Sequence, residues 1–147
     1  MPVSNFSVGR DQQVVILHPL APNGFQLNLQ IVTGFDDKEN RKKIQVAGLD
    51  GITRTGYIPE SYDITVDTER GNQEMDTFMS NLDVAYRAGI NVPTGQVYRY
   101  VSEVDGSQSI FLYDRVAFSR NDGGKWAQDA AVKQSLMGTA ATKQKVQ

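Results

Sequence analysis

One stretch, residues 71–89 (GNQEMDTFMSNLDVAYRAG), constrains the fold more than any other, because it alone sustains a helical period in a chain otherwise built of short alternating runs and turns. Met75, Phe78, Met79, Leu82, Ala85 and Tyr86 recur at three- and four-residue spacings, which places one apolar stripe on a core while Asp76, Asn81, Asp83 and Arg87 face water. The spacing predicts one amphipathic helix over about residues 72–88, with Met75, Phe78, Met79, Leu82 and Tyr86 as its core face. Glu74 and Asp76 in the first turn and Arg87 in the last suit the helix dipole, and Gly89 stands where a left-handed C-cap belongs. A single such helix among strands reads as a cover over the open face of a sheet. Met75 and Met79 then fill core space rather than serve a cofactor.

The strands come from period-two alternation. Val14, Val15, Ile16 and Leu17 make a short edge strand ended by Pro19 and Pro22, and Phe25, Leu27, Leu29 and Ile31 alternate with Gln26, Asn28 and Gln30 as the clearest strand of the chain. Residues 33–55 form a mixed charge block followed by an Asp-Gly turn, expected as a long charged loop or a protruding hairpin. Tyr62, Ile64 and Val66 then alternate with Asp63, Thr65, Asp67 and Glu69. After the helix, residues 96–104, 109–120 and 125–137 read as a meander joined by Asp105-Gly106 and Asn121-Asp122-Gly123-Gly124. Residues 1–13 are expected as an N-terminal arm and residues 138–147 as a loose or extended C-terminal tail. The sum is mainly β: one domain spanning residues 1–147, an antiparallel sandwich or barrel-like subunit of about seven strands with one helix before the last three.

Composition narrows the function. With 147 residues, a net charge of −2 and no cysteine, the chain can bury a core without disulfide or metal staples and offers no thiolate ligand or cysteine nucleophile. It lacks the basic surplus of a general nucleic-acid binder, and neither a signal peptide nor a membrane span is expected. The single histidine, His18, precedes a proline in a turn-rich segment and is expected at the surface; it leaves no partner for a metal pair or a nucleophile–base dyad. The acids Asp36, Asp37, Asp63, Asp67 and Glu69 fit a solvated loop and a strand face better than an acid/base pair or a calcium site. Gly123-Gly124-Lys125 lacks the spacing and following helix of a phosphate loop, and Trp126 is expected as a core or interface anchor. No catalytic residue, metal ligand or cofactor is assigned, and no enzyme activity is expected. What remains suits assembly: arms, a long charged segment and half-polar strands leave sheet edges that pairing with neighbouring copies would protect.

From Val46 onward the sequence resembles the tail tube proteins of bacteriophages, those of contractile tails above all. The resemblance is carried by VAGLDGITRTGYIP (residues 46–59), by DITVDTER leading into QEMDTFMSNLDVAYRAG, by YVSEVDGSQSIFLYDRVAF, and by GKWAQDAAVKQSLMGTA at residues 124–140. It implies a virion structural protein: six copies close into a ring, and rings stack into the hollow inner tail tube that conducts the genome into the host. The implied partners are further copies of the chain, the tail sheath, the baseplate or tube initiator, the tail terminator, a tape measure protein in the lumen, and DNA in non-specific transit. Assembly would take place in the cytoplasm of the host bacterium. Lumen-facing residues must then be polar, with Gln26, Asn28, Gln30, Asp63, Thr65, Asp67 and Glu69 as candidates, since an amide and acidic lining offers phosphates no cation to pair with. Asp36, Asp37, Lys38, Glu39, Arg41, Lys42, Lys43 and Arg54 are the expected ring-to-ring or subunit contacts. Two other readings stay open. One is a ring protein of a type VI secretion system or a phage-like particle; the other is a monomeric β-sandwich binding module using Trp126, Tyr98, Tyr100 and Tyr113.

Overall fold

The structure, a computed structural model, describes residues 12–22, 25–27, 31–122, 124, 126–128 and 130–146. Eight strands and one helix follow in the order β1 (Gln12–Leu17), β2 (Gln26–Leu27), β3 (Ile31–Ala47), β4 (Thr53–Glu69), α1 (Glu74–Arg87), β5 (Gly95–Ser102), β6 (Gln108–Asp122), β7 (Lys133–Ala140) and β8 (Thr142–Lys145). All pairings are antiparallel, in the lateral order β2-β1-β5-β6-β7-β4-β3, with β8 beside the first half of β6. The mainly-β, one-helix architecture is the one the alternation implies, although four strands rather than three follow the helix.

The sheet folds over at β6. Its first half pairs with β5 and β8 and its second half with β7. Between the two, the register slips: Gly95 lies opposite Val116 but Val97 opposite Tyr113, so β6 carries one extra residue. Arg115 takes φ 53°, in the left-handed region that a side chain enters only under local constraint. The Asp114 carboxylate supplies that constraint by accepting the Arg115 N–H at 2.9 Å and the Gln96 amide at 3.2 Å. This bulge turns the corner that brings the two halves of the sheet face to face.

The core between them is one cluster. Ile16, Leu27, Val97, Tyr113 and Val116 meet Ile64, Val66, Leu136 and Ala140, and Met75, Phe78, Met79 and Leu82 of α1 complete it. Phe78 keys the helix in place, with edge-on rings at 4.8 Å to His18 and 5.7 Å to Phe118. The helix ends as its glycine requires: Gly89 adopts φ 77°, its N–H reaches the Tyr86 carbonyl, and the Ile90 N–H reaches the Ala85 carbonyl.

Several expectations need correction. Tyr86 lies on the apolar stripe by helical phase but is 76% exposed, one residue before the helix ends at Arg87; Ala85 is the buried residue of that last turn. Asn81 does not simply face water, since its amide donates to the Leu20 carbonyl at 3.0 Å. Phe25 is exposed beside buried Leu27, and the run expected as one strand over residues 25–31 supplies only β2 and the start of β3, residues 28–30 lying outside the described set. Of the two forms open to residues 33–55, the hairpin is found: only residues 48–52 turn, and the rest belong to β3 and β4. Of the two forms open to the C-terminal segment, the extended one is found: Gly138 and Ala140 are buried at the end of β7, and β8 is stitched to β6. Gln12 and Gln13, placed in the arm, belong to β1; residues 1–11 lie outside the described set. His18 is a core residue, 1% exposed. The last meander strand begins at Lys133, not at residue 125.

Candidate assembly surfaces

The sequence of β3 and β4 builds the most prominent feature of the surface. The two strands pair over their whole lengths, but β4 pairs with β7 only from Tyr62 to Glu69. Beyond Ser61 the hairpin therefore runs out as a two-stranded ribbon, roughly 25 Å long at about 3.3 Å per residue. A bulge between Asn40 and Arg41 marks where it leaves the sheet. Every residue from 41 to 60 except Gly48 is exposed. Register puts Ile44, Val46 and Ile58 on one face with Lys42, Arg54 and Gly56, and Tyr57 and Pro59 on the other with Arg41, Lys43 and Gln45. Leu49 stands fully exposed at the tip with Ile52 beside it. The ribbon concentrates cations, since Arg41, Lys42, Lys43 and Arg54 outnumber Asp50 and Glu60, on a chain whose net charge is −2.

Several lengths of strand edge are open among the described residues. β3 pairs only with β4, β8 only with β6, and the part of β1 before Ile16 only with β5. Such edges are templates for another strand unless covered.

The candidate lumen residues divide. Asp63, Thr65, Asp67 and Glu69 lie on the side of β4 away from the core, alternating with buried Ile64, Val66 and Thr68. Register continues their face through Asp36 and Lys38 on β3 and Ser135, Met137 and Thr139 on β7. Asp63 is braced by the Asn40 amide at 2.8 Å and the Thr139 hydroxyl at 3.2 Å. Gln26 is exposed on β2, away from this face, while Asn28 and Gln30 lie outside the described residues.

The candidate contact residues divide as well. Lys38, Lys42, Lys43 and Asp36 are exposed and make no ion pair among the described residues. Glu39 pairs with Arg41 at 2.9 Å on the ribbon surface, and Asp50 with Arg54 at 3.1 Å across the tip. The Asp50 carboxyl is held below its usual range by the Ile52 N–H first and then by Arg54. Asp37 is no surface contact. Its inward-facing side chain is largely buried, and one carboxylate oxygen accepts both the Tyr113 hydroxyl at 2.7 Å and the Lys143 ammonium. Burial, and then Asp37, push the Tyr113 phenol well above its usual range. Arg99 lies alongside, over the rings of Phe35 and Phe111, and donates to Gln12 at 2.7 Å.

Sequence reasoning missed this cluster because its members sit 76 and 106 residues apart; the one local signal was the alternation of Phe111 and Tyr113. It missed a second node too. Asp76, expected to face water, accepts Arg70 at 3.1 Å, Arg120 at 2.8 Å and Gln134 at 3.1 Å, tying the first helical turn to the sheet. Trp126 is exposed, with the Arg70 guanidinium 5.1 Å from its ring centroid. Tyr98 and Tyr100 stack at 6.4 Å, but Tyr113 is buried, so the three tyrosines form no common platform. No group of three or more His, Asp or Glu side chains among the described residues is gathered to hold a metal, and no helix there is long and apolar enough to cross a membrane.

No family model and no curated protein matches the sequence. The fold, in contrast, recurs over its full length. A chain in the cryo-EM structure of the sheath/tube terminator of the extracellular contractile injection system PVC is similar with a TM-score of 0.65 at 10% identity, covering 99% of this chain and 99% of that one. A chain of the anti-feeding prophage cap, the tube terminating cap, gives 0.61 at 10% identity, with 98% and 95% covered. A chain in the tail of an empty gene transfer agent particle, refined with C6 symmetry, gives 0.54 at 10% identity, with 97% and 100% covered. At these identities the likeness defines the fold: that of the tube-type subunits of phage tails and contractile injection systems.

Proposed function

We propose that this chain is a structural, non-enzymatic subunit of a phage-type tail tube: six copies close into a ring, and rings stack into a hollow conduit through which the genome leaves the virion. The observation that carries the reading is the ribbon of β3 and β4, exposed on both faces, apolar on one and cationic at its flanks, on a fold shared end to end with tube-type chains. A two-stranded ribbon is marginal in water by itself, so one this long calls for a neighbour to lie on. Open edges of β3 and β8 would continue one sheet from copy to copy, and many strands around one axis enclose a channel rather than a filled core. The face of Asp63, Thr65, Asp67 and Glu69 lines the lumen in this arrangement, where its carboxylates repel passing phosphates and leave Lys38 and Lys133 as the cations of that face. The exposed members of the charged set, Asp36, Lys38, Glu39, Arg41, Lys42, Lys43 and Arg54, set register between rings. The sheath, the baseplate initiator, the terminator and a tape measure protein would be the partners of such a tube, assembled in the host cytoplasm.

A second reading has its own observation: the two higher similarities quoted above are to chains from terminator and cap structures. In that case the chain forms the ring that stops the tube rather than the tube itself. Negative-stain microscopy of the purified protein over a concentration series, with sizing on the same samples, tests both. Stacked hollow tubes support the tube subunit and isolated rings the terminator. A protein that stays monomeric at every concentration, alone and with preformed tubes as seeds, overturns both. The lining is tested by the triple change Asp63→Lys, Asp67→Lys, Glu69→Lys: rings should still form while genome passage slows, and unchanged infectivity rejects the assignment.

A further inference from the structure

We infer that the C-terminal strand β8 is a clasp that fixes the direction in which the β3–β4 ribbon leaves the subunit, acting through Lys143 on Asp37. The two strands reach this point from opposite parts of the fold. β7 pairs with β4 as far as Ala140 opposite Tyr62; the chain then crosses at Ala141, whose N–H bonds the Asp114 carbonyl, and continues as β8 beside the other half of the sheet. From the same level, the ribbon runs outward with no strand among the described residues on its β4 side. A fork opens between them, and backbone pairing does not span it.

Side chains do. Lys143 lies opposite Tyr113 in the β6–β8 register, so both point to the same side, and both converge on one oxygen of Asp37 at the ribbon's base. The Lys143 ammonium packs over the rings of Phe111 and Tyr113 at 5.1 and 5.5 Å, and the second Asp37 oxygen is buried without a hydrogen-bond partner among the described residues. An ionised carboxylate in such a place holds its position only while its cation stays. Asp37 sits three residues before the bulge at which the ribbon departs, so displacing it moves everything beyond. Lys143 is thus a positioning residue that acts through Asp37 on the ribbon.

Hydrogen–deuterium exchange on the full chain, held dilute enough to be monomeric, tests this directly. In Lys143→Met, amides of residues 38–60 and 142–146 should exchange about tenfold faster while α1 and β7 keep their rates, a local opening rather than global loss. The double variant Asp37→Asn/Lys143→Met should restore protection to residues 38–60, because a neutral amide still accepts the Tyr113 hydroxyl and no buried charge is left unpaired. Should Lys143→Met fail to fold, the same comparison is made between Lys143→Gln, expected to open the ribbon, and Lys143→Arg, expected to hold it. Unchanged exchange over residues 38–60 in the single variant, or a double variant as open as the single one, overturns the clasp. The consequence for assembly rests on the ring-subunit reading and is scored separately by microscopy: an opened ribbon with rings intact supports the clasp and counts against the ribbon as the contact that builds the rings.

Discussion

The buried histidine makes stability depend on pH in a window that no other side chain of this protein occupies at its ordinary pKa. His18 is the only histidine and is 1% exposed. Its Nδ1 accepts the Leu20 N–H at 3.0 Å and its Nε2 donates to the Pro93 carbonyl at 2.9 Å, so the neutral ring uses both nitrogens. Protonation would put a second proton on Nδ1, against the Leu20 N–H, and a charge between the rings of Phe78 and Phe118. Burial accordingly lowers its pKa below the ordinary 6.5, with the Pro93 bond pulling partly back. With the folded pKa below the unfolded one, the unfolded chain binds the proton first as pH falls. The contribution of the neutral ring is therefore complete above about pH 6.5 and is lost below it at up to about 1.4 kcal/mol per pH unit, levelling off once the folded pKa is passed. Urea unfolding of dilute protein between about pH 8 and about pH 5.5 measures this as a falling midpoint at constant slope. His18→Gln, which keeps a donor for Pro93 but cannot titrate, should be weaker at pH 8 and nearly flat across the same range. A wild-type curve that is already flat, or a variant with the same slope as wild type, would refute the assignment.

Four further outcomes follow from the contacts of single residues. Phe78→Ala removes the side chain that keys α1 between His18 and Phe118 and should cost about 3–5 kcal/mol in chemical denaturation. Asp76→Ala frees Arg70, Arg120 and Gln134 at a half-exposed site and should cost about 1 kcal/mol, less in high salt; a loss as large as that of Phe78→Ala would show that the node is more deeply desolvated than its exposure indicates. Gly138→Ala places a methyl 2.8 Å from Val116 Cγ1 and 3.4 Å from Ile64 and Phe118 carbons, and should lower the unfolding free energy by about 1–3 kcal/mol. Gly56→Ala meets nothing within 4 Å, so it should leave the monomer within about 0.5 kcal/mol while roughening the apolar ribbon face, and any effect should appear in assembly alone.

The elements that could be read from the sequence are those whose signal is local. A stripe repeating every three to four residues and a glycine at its end define α1 to within two residues, since both causes act within a few turns. Asp105-Gly106 likewise locates the turn between β5 and β6, where Gly106 takes φ 91°. Alternation placed Ile64 and Val66 inside and Asp63 and Asp67 outside. What escaped depends on residues far apart in the chain. His18 looked like a surface residue because the phenylalanines that enclose it lie 60 and 100 residues later. Asp37 looked like one acid among seven charges because Tyr113 and Lys143 come from another sheet half. Tyr86 failed for the converse reason: helical phase gives a direction, but not whether anything lies in it.

The ribbon brings these points together. Ordering a backbone residue costs about 1–2 kcal/mol, and residues 41–60 bury almost no apolar surface within the subunit to offset it. Cross-strand pairs add only about 0.2–1 kcal/mol each. Such a segment stays ordered by drawing on its ends or on something it touches. Its base end is secured, through the pairing of β4 with β7 and through Asp37, but the hold of a fixed base fades within a few residues of it. In the assembly proposed here, the outer half, with Ile44, Val46, Leu49, Ile52 and Ile58 open to water, would find its matching surface on another molecule. Apolar residues at those positions, with a buried ion pair at the ribbon's root, are what the proposed role asks for: a subunit whose fold is completed by its neighbours.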